Sequence, residues 1–88
     1  MIEKVYTVTE QGGLHARPAS LLVSAASKLN PAINLEYKDK KVNLKSIMGV
    51  MSLGIAQGSQ IKISVEGENE EETLRTLETT LIKEGLAK

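Results

Sequence analysis

The stretch Gly12-Gly13-Leu14-His15-Ala16-Arg17-Pro18-Ala19-Ser20 decides how the chain divides into elements. The glycine pair breaks a preceding run rich in β-branched residues, and Pro18 is tolerated only within the first turn of a helix. One strand therefore ends here and one helix begins, at about His15 to Arg17. The free backbone N–H groups of a helix start attract anions. His15 is the only histidine of the chain. At that position a neutral imidazole offers a nucleophilic nitrogen, and Arg17 offers a planar cation that can neutralise a phosphate group. The pattern points to phosphate on or near His15.

Toward the N-terminus, Ile2 to Val8 reads as a strand. Toward the C-terminus, Ala19, Leu22, Ala26 and Leu29 recur at helical spacing, with Leu21 and Ala25 widening the stripe, and Asn30-Pro31 ends the helix. Ile33, Leu35 and Tyr37 alternate with polar residues, and Val42 and Leu44 continue the period after a turn at Lys38-Asp39-Lys40, which predicts a hairpin. Ser46 to Leu53 reads as a short helix with Ser46 as its N-cap. Ile47, Met48, Val50, Met51 and Leu53 point in more directions than one buried stripe allows, so some are expected to face solvent as a surface for partners. The alternative is a short helix that lies over a sheet edge and buries most of them.

Ile61, Ile63 and Val65 mark a last strand. After it, Asn69 reads as an N-cap with Glu72 at the third helical position, and Leu74, Leu77, Leu81 and Ile82 are the expected buried stripe, with Lys83 and Gly85 as stop signals. The order β-α-β-β-α-β-α predicts an α+β fold in which three amphipathic helices cover one face of a four-stranded sheet.

Eighty-eight residues suit a single domain, 1–88, with a surface site and no deep enclosed one. With no cysteine, disulfides and thiolate chemistry are excluded, and one histidine supplies too few strong ligands for a metal centre. No segment has the apolar length of a signal peptide or a membrane span, so a cytoplasmic protein without membrane insertion is expected. Eleven basic and eleven acidic residues cancel, which gives no general reason to bind nucleic acid. Their distribution is uneven: the chain carries +3 through Gln60 and −3 from Ile61 onward.

Two segments carry a family likeness. His15-Ala16-Arg17-Pro18-Ala19, followed by Asn43-Leu44-Lys45-Ser46-Ile47-Met48-Gly49-Val50-Met51-Ser52-Leu53-Gly54, closely resembles HPr, the histidine-containing phosphocarrier family of the bacterial phosphoenolpyruvate:sugar phosphotransferase system. The likeness spans the chain, and the serine segment is similar to the Gram-positive branch. It implies an open-faced β-sandwich with antiparallel strand order 1-4-2-3. It also implies that His15 accepts phosphate on Nδ1 from phospho-enzyme I and passes it to IIA domains of sugar permeases, with Arg17 stabilising the phosphate. Ser46 would match the regulatory serine of HPr kinase/phosphorylase, and the Ser46-phosphorylated form the corepressor that binds catabolite control protein A.

The docking surface expected from these motifs joins Ala16 and Ser20 to Ile47, Met48 and Met51. No cofactor is implied, a monomer is the simplest carrier, and the phosphate is put on and taken off by partner enzymes. Two departures stand out: Gly12 occupies a position where many relatives carry a small polar side chain, and the Lys38-Asp39-Lys40 turn lacks the usual asparagine-glycine pair.

Two rival readings use the same residues. A hydrolase built from Ser46, His15 and Asp39 has no nucleophile-elbow pattern or oxyanion arrangement to support it. A purely regulatory module, like HPr-related proteins that keep the serine and lack the histidine, is opposed by the presence of His15.

Overall fold

The computed structural model describes residues 1–88. Its elements are β1 (Ile2–Thr7), α1 (Ala16–Ser27), β2 (Ala32–Tyr37), β3 (Lys40–Asn43), α2 (Ile47–Met51), β4 (Gln60–Glu66) and α3 (Glu70–Lys83), in the expected order. The strands form one antiparallel sheet, β1-β4-β2-β3. Tyr6 lies opposite Ile61, Ile33 opposite Val65, Leu35 opposite Ile63, and Val42 opposite Leu35. Residues paired in this way share a face, and this face meets the helices. Ile33, Leu35, Ile61, Ile63 and Val65 are buried against Leu22, Ala26, Val50, Leu77 and Leu81. The other face carries Glu3, Val5, Asn34, Glu36, Lys41 and Lys62, and has no helix over it; Lys62 and Glu3 pair across it at 3.7 Å. This is the open-faced sandwich, with β4 entering last between β1 and β2.

The β2–β3 turn is a two-residue loop, Lys38-Asp39, since Tyr37 pairs with Lys40. Lys38 takes the left-handed φ of 56° that an asparagine or glycine adopts more cheaply. Its ammonium lies 5.2 Å from the centre of the Tyr37 ring, a partial compensation.

Two expectations for α3 are corrected. Asn69 precedes the helix but has φ 57°, and its side chain makes no capping bond. The Glu70 carboxylate instead turns back to accept from the Gly67 N–H at 2.9 Å. The buried stripe is Thr73, Leu77 and Leu81, and Ile82 is exposed, because it sits about 100° round the helix from Leu81. The stop is as read: Gly85 has φ 70°, its N–H donates to the Ile82 carbonyl, and the Leu86 N–H donates to the Leu81 carbonyl at 2.8 Å. That pair of bonds, with buried Leu86 over Leu81, is a Schellman termination.

One polar cluster ties β1 to α3. Glu78 Oε1 accepts from Lys4 Nζ at 2.6 Å and from the Tyr6 hydroxyl at 2.8 Å. The Lys4 bond, then the Tyr6 bond, holds the Glu78 carboxyl below its usual range, while burial, then the bond to Glu78, pushes the Tyr6 phenol up. A depressed carboxyl contributes stability that is present above its unfolded value and lost as pH falls through the folded one. A raised phenol contributes stability that is present below about pH 10 and lost above it. In urea titrations across this range, Glu78→Gln is expected to flatten the acid limb, so that its deficit relative to the parent shrinks below about pH 4. An unchanged deficit at low pH would show that the carboxylate charge contributes nothing.

No helix is long and apolar enough to cross a membrane.

Candidate functional site

The loop between β1 and α1 is fastened along its length. The Thr9 and Glu10 N–H groups donate to the Leu86 carbonyl at 2.9 and 3.2 Å, Gly13 N–H to Glu10 at 2.9 Å, and Leu14 N–H to Ile55 at 3.0 Å. Leu14 is buried, which anchors the residue just before His15. Gly13 is required twice over: its φ is 76°, and a Cβ there would overlap the Ile55 carbonyl oxygen. The glycine pair thus places an exposed histidine on a fixed frame.

His15 is the N-cap of α1, in extended conformation, and its carbonyl accepts from the Ala19 N–H at 2.8 Å. Its imidazole makes no capping bond. Pro18 has no N–H to offer, and the N–H groups of Ala16 and Arg17 have no partner in the protein. No acidic residue occupies the first turn. Arg17 is exposed and enters no ion pair. Two free amides, a free guanidinium and an exposed imidazole therefore share one helix start, with no carboxylate engaged by them.

Beside them is an open cleft of about 360 Å³ lined by Glu10, His15, Arg17, Pro18, Leu21 and Glu84. Glu10 and Glu84 come from the loop and from the end of α3. Sequence reasoning missed both, since neither belongs to a local motif. The one available signal was Gly85, whose turn at the end of α3 sends Leu86 back to the loop.

The second motif lies on α2, which packs against α1. Ser46 is exposed, and its Oγ accepts from the Gly49 N–H at 3.1 Å as the expected N-cap. Val50 and Leu53 are buried and Ile47 is half-buried, while Met48 is 78% exposed and Met51 42%. The wide apolar arc is thus split between core and solvent. Ala16 and Ser20 are also exposed, on α1. No hydrogen bond links Ser46, His15 and Asp39, and Asp39 sits in the β2–β3 turn, so the three hydrolase candidates form no triad. No three His, Asp or Glu side chains converge where they could hold a metal ion.

Such an arrangement can take up a phosphoryl group on a ring nitrogen and screen its charge. It has no enclosed pocket to hold a small substrate.

Comparison with known proteins gives one consistent result. Residues 2–83 match the family described as PTS-HPr, PTS HPr component phosphorylation site. Among solved structures, the histidine-containing phosphocarrier protein of Mycoplasma is similar at 36% identity and a TM-score of 0.92, covering 97% of each chain. The HPr-C-His structure from Thermoanaerobacter tengcongensis is 48% identical, with a TM-score of 0.88 and coverage of 97% of this chain and 94% of that one. Crh, the catabolite repression containing protein of Bacillus subtilis, solved as a swapped dimer, is 40% identical, with a TM-score of 0.73 and coverage of 98% and 99%.

Proposed function

The chain belongs to the HPr family of phosphotransferase-system phosphocarriers, which are not catalytic enzymes, and from that premise we propose that His15 is the residue that carries the phosphate. The observation that supports this most is the exposed imidazole at the start of α1 beside two unpartnered amides and the unpaired Arg17. A ring-nitrogen lone pair attacks the phosphorus of phospho-enzyme I, and the donor's nitrogen–phosphorus bond breaks. The reverse step delivers the group to a IIA domain. Phosphoryl transfer of this kind asks the carrier for position and charge screening more than for covalent machinery. An open cleft suits it, since both partners must reach the same atom in turn.

Arg17 neutralises the transferred phosphate and the Ala16 and Arg17 amides point positive charge at it. Ala16, Ser20, Ile47, Met48 and Met51 form the docking surface, whose flexible methionines suit partners of different shape. Ser46 is the control point, phosphorylated by HPr kinase/phosphorylase; the likeness to Crh supports a corepressor role with catabolite control protein A. Phosphate on Ser46 replaces its bond to Gly49 and adds about two negative charges at the docking surface. The carrier works in the cytoplasm as a single-domain monomer.

Reconstitution tests the reading. With enzyme I, phosphoenolpyruvate and a IIA domain, the chain is expected to gain acid-labile label and lose it to the IIA domain. A chain that stays unlabelled while its kinase labels Ser46 would mark it as a regulatory module instead. Ser46→Asp is expected to slow uptake from enzyme I on the order of three- to tenfold at subsaturating carrier, through charge at the interface. An unchanged rate would remove Ser46 from the docking surface.

A further inference from the structure

The cleft beside His15 is lined by two carboxylates, Glu10 and Glu84, against the one guanidinium of Arg17. Neither carboxylate enters an ion pair, with Arg17 or with any other cation. Glu10 is nevertheless fixed in place. Its N–H donates to the Leu86 carbonyl at 3.2 Å, its carbonyl accepts from the Gly13 N–H at 2.9 Å, and its carboxylate Oε2 accepts from the Gln11 N–H at 3.1 Å. Glu84 is the C-cap of α3, and that end of a helix disfavours a carboxylate. Like charges in one cleft also repel each other. Ion pairing within the fold therefore accounts for neither charge.

We propose that the charge of Glu10, with Glu84 in the same cleft, sets how readily the carrier gives up its phosphate. A phosphoryl group on His15 brings about two negative charges to a cleft that already holds two carboxylates. Their repulsion raises the free energy of the phosphorylated protein and leaves the unphosphorylated one as it was. Transfer from enzyme I breaks one nitrogen–phosphorus bond and forms another on His15, so the bonds nearly cancel and the surroundings of each group decide the balance. Arg17 draws that balance toward the phosphorylated carrier, and Glu10 and Glu84 push it toward release. The cleft is open to solvent, so the push is modest and is screened by salt. The inference rests on His15 as the phosphate acceptor.

The exchange equilibrium tests it: phospho-enzyme I, freed of pyruvate, is mixed with the carrier, and the phosphate on each protein is measured once exchange has stopped. Enzyme I is common to parent and variant, so its own surroundings cancel in the ratio of the two constants. At an ionic strength of about 0.01 M, Glu10→Gln, which keeps an acceptor for the Gln11 N–H, is expected to favour the phosphorylated carrier by about threefold over the parent. At about 1 M salt the ratio is expected to return to near one. Glu10→Asp keeps the charge and is expected to stay close to the parent at both. Glu84→Gln is expected to shift the balance in the same direction as Glu10→Gln, and because it lies at the end of α3 it keeps the test open where a loop variant folds poorly. No shift at low salt in either glutamine variant, or a shift that persists at about 1 M salt or appears equally in Glu10→Asp, would overturn the role of these charges and leave His15 as the acceptor. A parent that takes no phosphate on His15 from enzyme I would overturn the acceptor reading, and this one with it.

Discussion

His15→Ala is expected to abolish phosphate uptake from enzyme I, by at least about a thousandfold, while the protein stays folded. The two halves of this outcome have separate causes. The imidazole is the only histidine ring in the chain, and no cysteine offers another nucleophile of comparable strength. It is also exposed and caps nothing, and what holds this helix start is the backbone bond from Ala19 to the His15 carbonyl, which alanine keeps. The thermal midpoint is therefore expected to move by less than about 4 °C, corresponding to an effect within about 0.5 kcal/mol. Transfer assays and circular dichroism on the same preparation check both parts. Residual uptake at the parent rate would move the site elsewhere, and a loss of stability like that of a core deletion would contradict the exposed placement.

Gly13→Ala is expected to have the largest effect on the fold of any single methyl group added to the site loop. A left-handed φ costs a non-glycine residue about 1–2 kcal/mol. Here the added Cβ also meets the Ile55 carbonyl, the acceptor for Leu14 N–H, so relieving the overlap weakens the bond that seats a buried leucine. Together these predict a loss of roughly 3 kcal/mol, or a midpoint lower by about 12–24 °C. Gly54→Ala is the control, since Gly54 has φ 61° with open space at its Cβ position and bears only the conformational cost. Equal losses for the two variants would show that the contact with Ile55 adds nothing.

Much of the fold was legible because its signals are local. Period-2 alternation marked β2 and β4, Pro18 and Gly85 marked helix ends, and Ser46 marked a cap. Strand order was not legible from periodicity, because which strand enters the sheet beside which is settled by long-range packing; the family resemblance supplied it. The α3 stripe was misjudged at Ile82 because Leu81 and Ile82 are equally apolar, and only the sheet's position says which one faces it. Asn69 was misread as a side-chain cap because its backbone is left-handed, a conformation that Gly67 and the Glu70 carboxylate support from outside the motif.

At the site, His15, Arg17 and Ser46 could be singled out from their own neighbours in sequence. Glu10 and Glu84 could not, since neither belongs to a local motif and Glu84 reaches the cleft only through the packing of the end of α3 beside the loop. Gly12 was noticed for the side chain it lacks. In the structure a Cβ at that position would meet the His15 ring.

The most direct test of the carrier reading is the phosphorus NMR spectrum of the protein after incubation with enzyme I and phosphoenolpyruvate. A single phosphohistidine resonance that disappears in acid and is missing from His15→Ala is the expected result. A spectrum with no phosphohistidine signal, or with the same signal in His15→Ala, would contradict the assignment of the phosphate to His15.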